Sequence, residues 1–379
     1  MYTYRKTHRY FAQIADGLED AGSREIAALG AREIQPAYRG IYFKADTADL
    51  FRINYGARII TRILAPLLTF DCHSPKYLRK TAGSIRWSDF LSPDETFAVF
   101  ANVSDSRIRH SRYAALCLKD AIADFFRETC GRRPDVETKT PDVWFSLHIH
   151  RNRATISLDT SGGSLHRRGY RKASVEAPMQ ETVAAAIIRM SGWEGERALY
   201  DPMCGSGTLI TEALMAYCRI PAGFLRKHFG FASLPEFETA AWGKIKAEMD
   251  RKIRPLPPGL IFAGDRSKQA VAATRKNLVT LPGHEGVDLR CRDFRKIEEI
   301  RNAVLVCNPP YGIRLGKESD LGNFYKEFGD FLKQRCRGTS AYLYFGNREM
   351  IKKIGLKPSW KKPLKNGGLE GRLVKYEMY

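Results

Sequence analysis

The apolar run Ala303-Val304-Leu305-Val306-Cys307 stops at Asn308-Pro309-Pro310-Tyr311, and this junction constrains the chain more than any other stretch. Five successive apolar residues read as a strand buried on both faces, which belongs to a parallel sheet. Ligand sites of open α/β sheets lie at the carboxyl ends of such strands. Two prolines fix φ and remove two N–H donors, so the backbone is stiff and its carbonyls are free to accept. An Asn amide oxygen beside a free carbonyl can hold both hydrogens of an amino group. An aromatic next to them can stack on a planar base. The combination suits methylation of an exocyclic amine. A strand ending in a proline turn with a core tyrosine is the plainer alternative.

The rest of the C-terminal half supplies the sheet that this strand needs. From Glu176 onward, helical patterns at 179–190, 209–217, 268–278 and 324–336 alternate with short apolar strands. The strands read as 198–200, 260–263, 287–291, 303–307 and 341–345. Such alternation predicts a doubly wound parallel sheet. The stretch 220–258 is longer than a simple crossover needs and reads as an insertion. The first ~55 residues read as strand, helix, strand, strand, helix, a small α+β unit with Thr47 capping its last helix. A second unit runs to about Ser161. It has a strand at 96–100, an amphipathic helix at 111–126 and a hairpin over 143–149 and 154–158. Expected domains are therefore 1–56, 57–160, a basic Gly/Ser-rich linker at 161–175, and 176–379.

Charge separates the possible partners. The 379 residues carry 62 Lys and Arg against 42 Asp and Glu, a net charge of +20. Polyanions are the expected partners, nucleic acid before an anionic membrane surface. No apolar run approaches the ~18 residues of a membrane span, and the N-terminus lacks a signal core. The eight cysteines are scattered without a Cys-x-x-Cys pair. That predicts reduced, packed thiols, a cytoplasmic setting and no metal site. His148 and His150 share a strand face, where a polar surface explains them as well as a metal would.

Three further strand ends carry candidate ligands. Asp201-Pro202-Met203-Cys204-Gly205-Ser206-Gly207-Thr208 joins a strand to a helix. Its glycines let the backbone approach a ligand that the helix N-terminal N–H groups face. A dinucleotide fingerprint would need a third glycine where Ile210 stands, so a cofactor without a pyrophosphate is favoured. Asp265, followed by Arg266, can accept from both hydroxyls of a ribose. Asp293 can hold an adenine amine, with Phe294 against the ring. Each acid alone could be an ordinary strand-end aspartate. Together they form one crevice for an adenosine, and S-adenosylmethionine fits it.

These motifs resemble a known family. Asp201-Pro202, Ser206-Gly207-Thr208 and Asn308-Pro309-Pro310-Tyr311-Gly312 are similar to those of the THUMP-containing class I RNA methyltransferases. The likeness is greatest to the RlmL-type guanine-N2 methyltransferases of bacterial 23S rRNA. His166-Arg167-Arg168-Gly169-Tyr170-Arg171 resembles the family's linker, and Glu181-Thr182-Val183-Ala184-Ala185-Ala186 its helix before the glycine loop. Ala98-Val99-Phe100 and Ile108 to Tyr113 resemble its THUMP region. The resemblance implies an N-terminal ferredoxin-like unit, a THUMP RNA-binding unit and a Rossmann-like methyltransferase. It also adds Glu181 and Thr182 to the cofactor site. Some relatives are fused to a second methyltransferase. The chain stops at Tyr379, so that second activity is expected to be absent, and a monomer is expected.

The expected chemistry is positioning and electrostatics. Asn308 and the Pro309 carbonyl would accept from the target amine, beside Pro310, and Tyr311 would stack on a flipped base. RNA contacts are expected from Arg107, Arg109, Arg112, Arg167, Arg168, Tyr170 and Arg171, which mix cations with an aromatic. A solvated hinge is the other reading of the linker. The Lys-rich segment 351–365 is expected to form a solvated edge. Large-subunit rRNA or an assembly intermediate is the expected substrate. A tRNA guanine-N2 methyltransferase, a DNA adenine-N6 methyltransferase and a non-catalytic RNA-binding assembly factor stay open as alternatives. A nicotinamide oxidoreductase is disfavoured by the missing third glycine.

Overall fold

The computed structural model describes residues 1–175, 178–311 and 318–379, the side chains of 318–320 excepted. Gly312 lies outside the described residues. The chain forms two compact units: residues 1–14, 19–165 and 226–248 in the first, and residues 15–18, 166–225 and 249–379 in the second.

The first unit is built on one seven-stranded sheet. Its elements are α1 (Thr3–Thr7), β1 (Arg9–Ile14), α2 (Glu19–Ala28), β2 (Arg32–Ala37), β3 (Gly40–Lys44) and α3 (Thr47–Gly56). There follow β4 (Ile60–Asp71), α4 (Pro75–Ala82), β5 (Phe97–Ser104), α5 (Ser111–Cys130), β6 (Val143–His150) and β7 (Arg153–Asp159). Strand order is β2-β3-β1-β4-β7-β6-β5. The twelve-residue β4 pairs with β1 on one side and β7 on the other, so the two expected N-terminal units share a continuous sheet. The expected β6–β7 hairpin forms. Its two-residue turn, Arg151-Asn152, has φ of 49° and 59°, as a type I′ turn requires. One expectation is corrected at α3: the N-cap is Asp46, not Thr47, and its carboxylate accepts from Asp49 N. Aspartate outranks threonine as a cap.

The inserted segment after residue 220 has a specific destination. Its residues 226–248 group with the first unit. Phe231 and Trp242 pack on Phe51 of α3, with ring centroids 4.5 and 6.0 Å apart. Trp242 also meets Tyr55 edge-on at 5.2 Å. Burying rings of this size is a strong apolar anchor.

The second unit contains α6 (Glu181–Ser191), β8 (Leu199–Asp201), α7 (Thr208–Tyr217), β9 (Ile261–Asp265), α9 (Lys268–Leu278), β10 (Val287–Cys291) and β11 (Val304–Cys307). Helix α8 (Thr239–Asp250) lies in the inserted segment. The chain closes with α10 (Glu318–Arg335), β12 (Ser340–Phe345), α11 (Met350–Lys353), β13 (Trp360–Asn366) and β14 (Leu369–Glu377). Strand order is β10-β9-β8-β11-β12-β14-β13, parallel through β12 and antiparallel in the final hairpin. This is a Rossmann-like sheet whose order reverses between β8 and β11, the point at which such sheets bind ligands. β11 is buried at every residue, as its apolar run requires. The Lys-rich segment contributes β13, an edge strand with Lys361, Lys362 and Pro363 exposed. Charge and proline on an edge discourage pairing with another chain. Among the described residues, no helix is long and apolar enough to cross a membrane.

Candidate active site

The glycine loop after β8 is held from several directions. Cys204 N donates to Gly264 O at 2.8 Å, and Gly205 N donates to Asp265 Oδ2 at 3.0 Å. Thr274 Oγ1 donates to Gly205 O at 2.9 Å, and Asn277 Nδ2 donates to Ser206 O at 2.9 Å. Thr274 and Asn277 stand three residues apart on α9 and are fully buried. Gly207 has φ of 80°, and a Cβ there would lie 2.6 Å from Thr274 Cγ2. Both the left-handed backbone and the close approach require glycine. Helix α7 then begins at the loop, with residues Thr208 to Met215 all buried.

The basic linker faces inward. Arg168 and Tyr170 are each 1% exposed, and both bond Glu212 Oε1 in the middle of α7, at 3.3 and 3.1 Å. Burial, with Glu212 beside it, pushes the Tyr170 phenol well above its usual range. Arg171 contacts Glu181, Met179, Ser206 and Thr208. Arg168 and Tyr170 were expected to meet RNA. Their burial withholds them from an RNA surface and gives them a structural role, because a buried carboxylate needs charged and hydroxyl donors. Arg167 is exposed, as are Arg107, Arg109 and Arg112 before and at the start of α5.

A crevice of about 610 Å³ opens at the strand ends. Pro202, Met203 and Gly205 of the loop line it, with Asp265 and Arg266 after β9, Asp293 and Phe294 after β10, and Asn308 and Pro310 after β11. A smaller hollow beside it is lined by Asp201, Cys204, Ser206 and Thr208, and again by Met203 and Asn308. Thus the residues chosen on four strands converge. Asp265 accepts from Gly205 N and Ser267 N, and Asp293 from Arg295 N. An ionised carboxylate has about four acceptor sites, so both keep capacity for a ligand. Phe294 reaches the crevice from within an aromatic cluster, 3% exposed and edge-on to Phe324, Phe328 and Phe331. Glu181 and Thr182 lie buried at the start of α6.

Asp201 is 2% exposed, and burial pushes its carboxyl up to about 8, helped by the Asp265 charge. The neighbouring Cys204 and Cys307 thiols are also raised well above their usual range, first by burial and then by the Asp201 charge. They stay protonated and are unsuited to nucleophilic chemistry.

The Asn308–Tyr311 turn shows the opposite condition. Asn308 Oδ1 is buried and has no hydrogen-bond partner among the described residues. The Pro310 carbonyl accepts from Tyr325 OH at 3.2 Å, which steadies the turn from α10. Tyr311 packs on the backbone of Gly346, where a Cβ would lie 2.7 Å from its ring. A buried acceptor left unmatched in a rigid turn has capacity for one donor. The donor set suits S-adenosylmethionine on the other side: a backbone cradle at a helix N-terminus, two strand-end acids and a crevice within the usual size range of ligand sites, about 300–1,000 Å³.

Sequence reasoning missed Thr274, Asn277 and Glu212, which fasten the loop and linker. One signal existed. Thr274 and Asn277 fall on the buried stripe of an amphipathic helix, where poor helix formers are out of place unless they bond to something. Among the described residues, no group of three or more His, Cys, Asp or Glu side chains gathers as a metal site.

Residues 168–375 match the family described as RMKL-like, methyltransferase domain; residues 73–159 match the THUMP domain and residues 9–64 the RlmL ferredoxin-like domain. A Synechocystis sp. protein named as an RNA methyltransferase is 37% identical over 98% of this chain and 97% of its own. The ribosomal RNA large subunit methyltransferase K/L of Syntrophotalea carbinolica is 36% identical over 98% of this chain. The chain spans about half the length of that relative, 53%, and of the other K/L relatives. SMU.472, described as a methyltransferase and crystallised with S-adenosylhomocysteine, superimposes with a TM-score of 0.84. It is 26% identical, and each chain is covered to 98%. A Listeria monocytogenes protein described as an N6-adenine-specific DNA methylase superimposes with a TM-score of 0.83 at 26% identity, over 98% of this chain and 96% of its own. The chain belongs to the RMKL-like family of S-adenosylmethionine-dependent methyltransferases.

Proposed function

We propose that the protein methylates the exocyclic N2 amine of a guanine in 23S rRNA, as free RNA or within a large-subunit assembly intermediate. The buried Asn308 Oδ1, without a hydrogen-bond partner among the described residues, carries this reading. A guanine N2 amine is a weak nucleophile, because its lone pair is conjugated into the base. Asn308 Oδ1 and the Pro309 carbonyl would accept its two hydrogens and draw the nitrogen toward tetrahedral geometry. S-adenosylmethionine supplies the electrophilic methyl group. Asp265 and Asp293 would hold the nucleoside of that cofactor, and the glycine loop its remainder. Tyr311 would stack on the extruded base. No general base is needed, since the product ammonium is acidic enough to lose its proton to water.

The choice of RNA is supported by the THUMP match, by the exposed Arg107, Arg109, Arg112 and Arg167, and by the names of the K/L relatives. The test offers labelled S-adenosylmethionine to 23S rRNA, tRNA and duplex DNA separately, then maps the modified base. N2-methylguanosine in 23S rRNA is expected. Label confined to tRNA, or to adenine in duplex DNA, would overturn the assignment. RNA affinity should also fall steeply between low and moderate salt.

A further inference from the structure

We infer that Arg171 is a positioning residue for the cofactor: it holds the glycine loop and the start of α7 in the shape that receives S-adenosylmethionine. A strongly basic linker suggests phosphate binding, and Arg171 stands near its end. The guanidinium is nevertheless committed elsewhere. Nε donates to Glu181 Oε1 at 2.9 Å, and Nη2 to Met179 O at 2.9 Å. Nη1 donates to Ser206 Oγ at 3.2 Å, and Nη2 to Thr208 Oγ1 at 3.1 Å. All three nitrogens are engaged, and the side chain is 20% exposed. A planar fork with fixed donor directions can join four acceptors in this way; a lysine ammonium cannot.

The location argues against a purely electrostatic role. A helix N-terminus carries partial positive charge and disfavours a cation. Arg171 sits there all the same, neutralised by Glu181, whose side chain is 6% exposed. What it gains is control of the loop. Helix α7 has Gly207 at its N-cap and no side-chain cap, so nothing on the helix itself fixes the hydroxyls of Ser206 and Thr208. Arg171 fixes both. The next two residues continue the attachment: Lys172 N and Ala173 N donate to Asn277 Oδ1 at 2.7 and 2.9 Å, and Asn277 in turn holds Ser206 O. The linker is thus fastened along the loop whose backbone meets the cofactor.

The test measures S-adenosylhomocysteine binding by calorimetry, together with initial rates and RNA binding. Arg171→Met should weaken cofactor binding by about tenfold or more, equivalent to about 1.4 kcal/mol, and raise KM for S-adenosylmethionine in parallel. Turnover at saturating cofactor, affinity for a 23S rRNA transcript and its salt dependence should stay within about twofold. Arg171→Lys, the milder replacement, should fall between Arg171→Met and the wild type. If Arg171 acts through Thr208, Arg171→Lys and Thr208→Ala should be non-additive in cofactor affinity. Unchanged cofactor affinity with weaker RNA binding and a salt slope shallower by about one would overturn the proposal and place Arg171 on a phosphate. An equal loss of cofactor and RNA affinity with a collapse in Tm, shared by Arg171→Lys, would also overturn it.

Discussion

The glycine loop after β8 and the Asn308–Tyr311 turn after β11 end neighbouring parallel strands, yet they are finished to different degrees. In the loop, the carbonyls of Gly205 and Ser206 and the N–H of Gly205 all have partners, supplied by Thr274, Asn277 and Asp265. In the turn, the rigid prolines present a buried amide oxygen with no partner among the described residues. Leaving such a group unmatched costs about 1–3 kcal/mol. A bound amine would relieve that cost. Under the proposed function, the difference means that the cofactor side is built in advance and the acceptor side is completed by its substrate.

Removing the unmatched acceptor is the most direct test of this contrast. Asn308→Ala should lower turnover by about three orders of magnitude, roughly 4 kcal/mol of transition-state stabilisation. S-adenosylhomocysteine affinity, read by calorimetry, should change by less than about twofold. Equal methyl transfer by the variant would place the amine elsewhere.

The saturated side should respond in stability. Arg168→Met leaves Glu212, buried in the middle of α7, without its guanidinium. Removing one partner of a buried ion pair costs about 3 kcal/mol, which denaturant unfolding would detect. RNA affinity of the folded fraction should be unchanged. A loss of RNA binding with intact stability would restore Arg168 to the interface.

A further test separates the two sides by pH. Asp201 is pushed up to about 8 by burial, whereas an unfolded aspartate titrates near 4. Between these values the folded protein keeps a proton that the unfolded chain has released. Stability from this group is fully present below about pH 4 and is lost by up to about 1.4 kcal/mol per pH unit as pH rises toward 8. Asp201→Asn removes the titration. Without cofactor, the Tm difference between variant and wild type should therefore widen from pH 5 to pH 8 and level off above. Parallel curves would mean that Asp201 ionises as an ordinary carboxylate.

Several features could be read from the residues because their physics is local. The run 303–307 had to be a buried strand, and its proline turn had to lie at the carboxyl end. The α9 and β10 boundaries were legible from periodicity, and the acids Asp265 and Asp293 fell at strand ends in the folded protein. Other features depend on distant partners. The strand β4 joins two expected units into one sheet, and its register is set by β1 and β7. The Lys-rich segment becomes an edge strand because β14 pairs with it.

The linker shows the division most clearly. Its letters establish positive charge beside a tyrosine, a composition equally suited to phosphate or to a buried carboxylate. Direction is absent from composition. Glu212 lies 44 residues beyond Arg168, and Ser206 lies 35 beyond Arg171. Folding brings them together, since a buried acid on α7 and two uncapped hydroxyls at its start require donors that helix α7 itself cannot provide. The kind of chemistry, methyl transfer, is signalled by residues at strand ends. Whether a given cation serves RNA or the cofactor loop is decided by what it is packed against.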